Sequence, residues 1–178
     1  VPSELQVRQI IGLSLDPALQ TLFPDADVRM RQQLFEHYRD QYVLHNTTPA
    51  PMFAGAEQVF RELQQRGLML AVATGKARRG LDRIFEETGL APYFVTTRCA
   101  DEARSKPHPE MLQQILAELQ LPAEQAVMIG DTSHDMKMAQ AINMPRIGIT
   151  HGVDGHDVLS RYQPKAIVNN LHELLDVI

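Results

Sequence analysis

The sequence is poor in cysteine, in long apolar runs and in net charge. Its single cysteine, Cys99, excludes an intramolecular disulfide, and no apolar run approaches the ~18 residues that a membrane-spanning helix needs. The formal net charge of -5 gives no electrostatic reason to bind nucleic acid or an anionic membrane. The first residues do not show a charged stretch followed by an apolar one, the pattern of a secretory signal. We therefore expect a cytoplasmic protein that binds neither nucleic acid nor a membrane.

The sequence does have the composition of an ordinary globular protein, with 44% hydrophobic and 22% charged residues among 178. Its hydrophobic periodicity changes once along the chain. Apolar residues recur at helical spacing up to residue 45, and a polar stretch with two prolines follows at 46–51. Beyond it, short apolar runs alternate with helical patterns. We predict a small all-helical domain at residues 1–48 and an α/β domain at residues 49–178, joined by a linker.

The helical part contains two recognisable helix starts. Ser3 and Gln6 fit a capping box, and Asp16 followed by Pro17 fits a second helix with proline at its first position. A third amphipathic pattern runs through residues 25–44. The whole of this part is therefore predicted to be helical.

The α/β part contains apolar runs of strand length separated by helical patterns. The predicted strands are 68–73, 93–96, 126–129, 146–149 and 166–168. The predicted helices are 54–66, 76–88, 109–119, 133–141 and one beginning near residue 171. Strands that alternate with helices indicate a parallel, helix-covered, Rossmann-like sheet, and we expect the strand at 126–129 to be central in it.

Two aspartates follow the predicted central strand. Gly130 is expected to let the backbone turn tightly there, Asp131 comes next, and Asp135 lies four residues farther on. The carboxyl ends of the strands form the binding crevice of an open α/β sheet, so both carboxylates can reach one hard cation. The alternative from these residues alone is that Asp131 caps the following helix.

Thr74 and Gly75 follow the strand at 68–73. A hydroxyl and free backbone N–H groups at the positive end of a helix suit a phosphate group, although a helix cap is again the alternative. The pair Gly75-Lys76 also occurs in P-loops, but Leu70 stands where a P-loop requires its first glycine, so we reject that interpretation.

Lys106 lies in a proline-rich stretch, Ser105-Lys106-Pro107-His108-Pro109. The two prolines are expected to hold this stretch extended and to delay the next helix, so the position of Lys106 is restricted. A single loop lysine is more often a solvated surface charge than a catalytic group.

Taken together, Thr74, Lys106 and the pair Asp131 and Asp135 resemble motifs two, three and four of the haloacid dehalogenase superfamily. The resemblance is closest to the phosphoglycolate-phosphatase-like branch, in which a helical cap lies between motifs one and two. It covers essentially the whole chain, and the stretch Gly130-Asp131-Thr132-Ser133-His134-Asp135 carries it most specifically. Residues 1–45 then look like most of the cap.

The resemblance implies a Mg²⁺-dependent phosphomonoester hydrolase that acts on a small phosphorylated metabolite through an aspartyl-phosphate. Thr74 and Gly75 would bind a phosphoryl oxygen, and Lys106 would offset charge on the nucleophile and the phosphate. Asp131 would bind Mg²⁺, and Asp135 would be a second ligand or orient a metal-bound water. Removing the Lys106 side chain should then cost orders of magnitude in turnover while leaving the fold intact. Because the family often works as a monomer, the resemblance also favours a monomer over an oligomer here.

One part of the family pattern has no match here. Motif one supplies the aspartate nucleophile on a first strand, which lies between the strands that end at Thr74 and Asp131. We therefore expect the sequence to be an amino-terminally shortened form of a longer protein, inactive by itself because the nucleophile is outside it. We also expect those two strands not to pair directly with each other.

Other readings of the same residues stay open. Sugar-phosphate mutases and haloacid dehalogenases belong to the same superfamily, although halide displacement from carbon needs no Mg²⁺. A non-catalytic binding module with the same fold is the alternative outside the enzymes. The turn that contains Gly12 and Ser14, between two cap helices, is where we expect substrate selection. We expect His108 and His134 to shape the site and Cys99 to be unreactive.

Overall fold

A computed structural model describes residues 1–45 and 51–178. The helices are α1 (Glu4–Gln9), α2 (Leu15–Leu22), α3 (Val28–Asp40), α4 (Ala56–Gln65), α5 (Arg78–Thr88), α6 (Glu110–Leu119), α7 (Ser133–Gln140), α8 (His156–Leu159) and α9 (Leu174–Val177). The strands are β1 (Leu70–Ala73), β2 (Phe94–Arg98), β3 (Met128–Gly130), β4 (Arg146–Ile149) and β5 (Ala166–Val168). All but Pro51 of the predicted linker lies outside the described residues, and the domain boundary at residue 48 stays a prediction.

The amino-terminal part is helical, as predicted. The Ser3 capping box is present, with both of its hydrogen bonds to Gln6. The predicted start of the second helix at Asp16 is wrong by two residues. Ser14 is the last extended residue before α2, so Asp16 already lies in the first helical turn, where its charge interacts favourably with the helix dipole. A π-helical turn, Gln41–His45, continues α3.

The α/β part contains two parallel sheets. One pairs β1 with β2, and the other has the order β3-β4-β5. Within the described residues no backbone ladder joins β1 to β3, which agrees with the expectation that these two strands do not pair directly. The described residues pair β3 on one side only, with β4, so they place it at an edge of its sheet rather than in the predicted central position.

Two apolar clusters form the core of the α/β part. In the first, methionines of α6 and α7 pack with their neighbours; its buried members are Met111, Leu112, Met138, Ala139 and Met144. The second lies between β4, β5 and α9; its buried members are Ile147, Ile149, Val168 and Leu174. The carboxyl end of β3 and the start of α7 are therefore fixed by a well-packed core.

Several element boundaries differ from the prediction, and one short helix was not predicted. The first strand begins at Leu70 rather than at residue 68, since Leu68 and Met69 are 39% and 52% exposed and take no part in the ladder. The last helix begins at Leu174, later than predicted. The short helix α8 was not predicted, because four residues are too few to show a helical period. In the part of the chain that the structure describes, no helix is long and apolar enough to span a membrane.

Candidate active site

Thr74 follows β1 directly but does not cap a helix. Helix α5 begins only at Arg78, with Ala77 as its N-cap, and the first N–H of that helix donates to Asp101 at 2.9 Å. The Thr74 hydroxyl instead accepts from the backbone N–H of Lys76 at 3.1 Å. The prediction that Thr74 and Gly75 lie at the positive end of a helix is therefore wrong by a few residues. The Thr74 hydroxyl does, however, bind a backbone N–H group at the end of β1.

Lys106 is buried and paired with Asp135. The lysine is 7% exposed and the aspartate 4%, and Lys106 Nζ lies 2.6 Å from Asp135 Oδ1. A solvated surface lysine is thereby excluded. The stretch around Lys106 is not extended as predicted, because the N–H of His108 donates to the carbonyl of Ser105 at 3.0 Å and closes a turn. That turn brings the lysine into contact with a residue 29 positions away.

The second carboxylate oxygen of Asp135 belongs to a capping box at the start of α7. Asp135 Oδ2 accepts from the hydroxyl of Thr132 at 2.7 Å and from its N–H at 3.2 Å, and the Thr132 hydroxyl accepts from the Asp135 N–H. Thr132 rather than Asp131 is therefore the N-cap of α7. Both oxygens of Asp135 are therefore engaged within the protein, one by Lys106 and the other by Thr132.

Asp131 is held by the loop that follows β4. Its Oδ2 accepts from the N–H of Val153 at 3.0 Å. Burial, and then the negative charge of Asp135, raise the pKa of Asp131 above its ordinary value. Gly130 has no positive φ, so a tight turn is not the reason for glycine there; a Cβ at Gly130 would overlap the Asp135 side chain.

This arrangement fits a Mg²⁺ ion that takes few protein ligands. Within the described residues, no group of three His, Cys, Asp or Glu side chains could hold a metal. Mg²⁺, however, is usually bound by one or two carboxylates while it keeps waters and substrate phosphate oxygens. Asp131 is a partly buried carboxylate, and burial together with the charge of Asp135 raises its pKa, so its negative charge is unfavourable in this place. A divalent cation would offset that charge.

A turn of the helical part lies directly on these residues. The N–H of Ser14 donates to the hydroxyl of Ser105, next to Lys106, at 2.9 Å. A Cβ built on Gly75 would lie 2.7 Å from the carbonyl oxygen of Gly12, and a Cβ on Gly12 would lie 3.2 Å from the Thr132 hydroxyl. The turn therefore contacts all three predicted motif segments, so the positions that are far apart in sequence converge at one place.

Two polar atoms near this turn are buried without a partner. Ser14, 9% exposed, has no described hydrogen bond from its hydroxyl, and neither has Nδ1 of His134. The other ring nitrogen of His134 lies 3.0 Å from the carbonyl of Gln9, so this histidine joins the core to α1.

His108 contacts Arg104, at 2.8 Å, and Cys99 is fully buried. Burial raises the pKa of the Cys99 thiol to about 11, which agrees with the expectation that it is unreactive.

Residues that the sequence interpretation missed lie in the loop after β4. The N–H of Ser133 donates to Asp154 at 2.7 Å, and the N–H of Asp154 donates to the carbonyl of Asp131 at 2.9 Å. A Cβ at Gly152 would overlap the Asp131 carboxylate. The signal was available, because this loop follows the carboxyl end of a predicted parallel strand, where the ligand edge of the sheet lies.

The family model described as "Haloacid dehalogenase-like hydrolase" matches residues 1–149. The chain belongs to this family. A protein named "Probable phosphatase IndB" from Dickeya dadantii (strain 3937) is 33% identical to this hydrolase over 175 residues, which are 95% of this chain and 75% of that one. A "Phosphoglycolate phosphatase" from Vibrio vulnificus (strain CMCP6) is 26% identical over 99% of this chain and 81% of its own length.

Solved structures agree on the fold of this haloacid dehalogenase-like hydrolase. The crystal structure of a predicted phosphatase from Clostridium acetobutylicum superimposes with a TM-score of 0.86 at 25% identity, over 99% of this chain and 82% of that one. The resemblance to the phosphoglycolate-phosphatase-like branch is therefore confirmed, as is the α/β fold with parallel strands. The roles of the individual residues stay predictions.

The contact between Gly75 and the turn at Gly12 gives a first prediction. Gly75→Ala should destabilise this hydrolase by about 1–3 kcal/mol, because the new methyl group would meet backbone carbonyl oxygens that cannot rotate away. The measurement is the free energy of unfolding in urea. Gly80→Ala is the control, since its Cβ would meet only Lys76 Cβ at 3.8 Å and alanine favours the helix by up to about 1 kcal/mol. Equal stabilities of the two variants would contradict the contact.

Proposed function

We propose that this protein is a Mg²⁺-dependent phosphomonoester hydrolase that acts on a small phosphorylated metabolite. The observation that carries the proposal is the buried ion pair of Lys106 with Asp135, adjacent to Asp131 and covered by the Gly12–Ser14 turn. A lysine buried at a strand-end crevice and locked by an aspartate is a pre-positioned cation, which phosphoryl transfer needs. Family membership and the phosphatase relatives support the same conclusion.

Each residue in this proposal has a task that suits its surroundings. The hydroxyl of Thr74 and the N–H of Gly75 bind a phosphoryl oxygen at the end of β1. Lys106 neutralises negative charge on the transferring group, in a place largely shielded from water, where electrostatic interactions are strong. Asp131 would hold Mg²⁺, which supplies charge neutralisation and fixes the phosphate geometry when bound. Asp135 orients Lys106, or a water near the metal.

Our proposal gives the described residues roles in binding and charge neutralisation, but none in the in-line attack on phosphorus. Asp131 is proposed as the metal ligand, and the two carboxylate oxygens of Asp135 bind Lys106 and Thr132. We propose that the phosphoryl group passes through an aspartyl-phosphate whose carboxylate comes from the motif-one strand of the family, beside β1 and β3. The absence of a ladder between those two strands in the described residues supports this placement.

Metal removal tests the proposal. Full-length protein treated with EDTA should lose hydrolysis of a generic aryl phosphate, and added Mg²⁺ should restore it, because the phosphate is bound partly through the cation. Turnover that is unaffected by EDTA would contradict the proposed chemistry. Absence of turnover in the presence of Mg²⁺ over a broad panel would favour the non-catalytic alternative.

The substrate panel should separate the remaining possibilities. It should contain phosphoglycolate, because relatives carry that activity in their names, together with sugar phosphates and a 2-haloacid. We propose that Gly12 and Ser14 select among these, since their turn covers the motif residues and the Ser14 hydroxyl is buried without a described partner. Ser14→Ala should therefore alter KM more strongly for one ester than for another.

A further inference from the structure

The loop after β4 surrounds the segment that carries Asp131. Three contacts join them: the N–H of Val153 donates to the Asp131 carboxylate, the N–H of Asp154 donates to the Asp131 carbonyl, and the Asp154 carboxylate accepts from the N–H of Ser133. Gly152 lies so close that a side chain there would overlap the Asp131 carboxylate. The segment 131–133 is therefore held through the Asp131 carboxylate, the Asp131 carbonyl and the N–H of Ser133.

Asp154 is the one residue of this loop whose side chain takes part in these three contacts, and that side chain satisfies an N–H group at the start of a helix. Ser133 is the first residue of α7, and the first N–H groups of a helix have no partner within the helix. The Thr132 hydroxyl accepts from the N–H of Asp135. The N–H of Ser133 donates instead to the Asp154 carboxylate, at 2.7 Å. A carboxylate at this position also interacts favourably with the positive end of the helix dipole.

We propose that Asp154 is a positioning residue for the proposed metal ligand Asp131. By binding the N–H of Ser133 with its carboxylate and the carbonyl of Asp131 with its own N–H, it fixes the direction in which the Asp131 side chain leaves the backbone. Groups that orient metal ligands typically change metal affinity 10- to 100-fold when they are removed. This inference rests on the proposed function, because it assumes that Asp131 binds Mg²⁺.

The test compares Mg²⁺ binding by calorimetry in wild type, Asp154→Ala and Asp154→Asn of the full-length protein. Asp154→Ala should weaken Mg²⁺ binding about tenfold and raise the Mg²⁺ concentration for half-maximal turnover in parallel. The KM for substrate at saturating Mg²⁺ should stay within about twofold. Asp154→Asn should retain binding close to that of wild type, because its amide oxygen can still accept from the Ser133 N–H.

Asp157→Ala is the matched control, since this aspartate lies three residues away with a fully exposed side chain and carries the same charge. It should bind Mg²⁺ as wild type does. The inference is overturned if Asp154→Ala binds Mg²⁺ normally, even with a lowered melting temperature, or if Asp154→Asn is as weak as the alanine variant. A wild-type protein that neither binds Mg²⁺ nor hydrolyses phosphate esters overturns the proposed function, and this inference with it.

Discussion

Lys106→Met should lower kcat by about 10²–10³-fold, because one well-placed donor in a water-poor site contributes ~3 to 4 kcal/mol to the transition state. The buried pair adds a second effect. Removing the lysine leaves the Asp135 charge uncompensated at 4% exposure, and breaking one side of a buried pair typically costs about 3–5 kcal/mol of stability. Although the sequence predicted that the fold stays intact without this side chain, we therefore expect its loss to lower stability as well as turnover.

A double variant separates the two effects of Lys106. Lys106→Met combined with Asp135→Asn removes both charges, so unfolding in urea should show much of the lost stability restored while turnover stays low. Lys137→Met is the control, because this lysine is exposed on α7, the helix that carries Asp135, and its loss should change neither quantity appreciably. Normal turnover in the double variant would exclude Lys106 from the chemistry.

Asp131→Asn should abolish Mg²⁺ binding, lower turnover at least ~100-fold, and yet raise the melting temperature of the metal-free protein at neutral pH by a few degrees. The gain in stability follows from the pKa of Asp131, which burial and the charge of Asp135 raise. Asparagine occupies the same volume, carries no charge, and can still accept the hydrogen bond from Val153.

The dependence on pH has a definite sign. The folded protein holds the Asp131 proton more tightly than the unfolded chain does, so ionisation of Asp131 lowers the stability of the fold. This loss of stability is absent below the ordinary pKa of 3.8 and fully present above the raised pKa. Wild type should therefore lose stability relative to Asp131→Asn as the pH rises through that window. Thermal unfolding from pH 3.5 upward, with Asp157→Asn as control, measures the difference. A constant difference at all pH values would show that the charge of Asp131 is not the cause.

Much of the architecture could be predicted from sequence, because it depends on local signals. The Ser3 capping box and the alternation of apolar runs with helical patterns both act over a few residues. Element boundaries were less accurate. The apolar run at residues 68–73 extends beyond the strand, because the ladder with β2 rather than hydrophobicity decides where β1 begins.

The candidate site, too, has residues that the sequence predicts and contacts that only the structure reveals. Thr74, Lys106 and Asp131 were found from strand ends, proline spacing and a motif, all readable in one dimension. The sequence by itself thus determined the family, the order of the elements and the residue types available for chemistry. Only the tertiary structure decided that Asp135 pairs with Lys106, that Asp154 holds the Asp131 segment, and that the Gly12–Ser14 turn covers both. Those contacts join residues 20 to more than 100 positions apart, and no local propensity or periodicity encodes such distances.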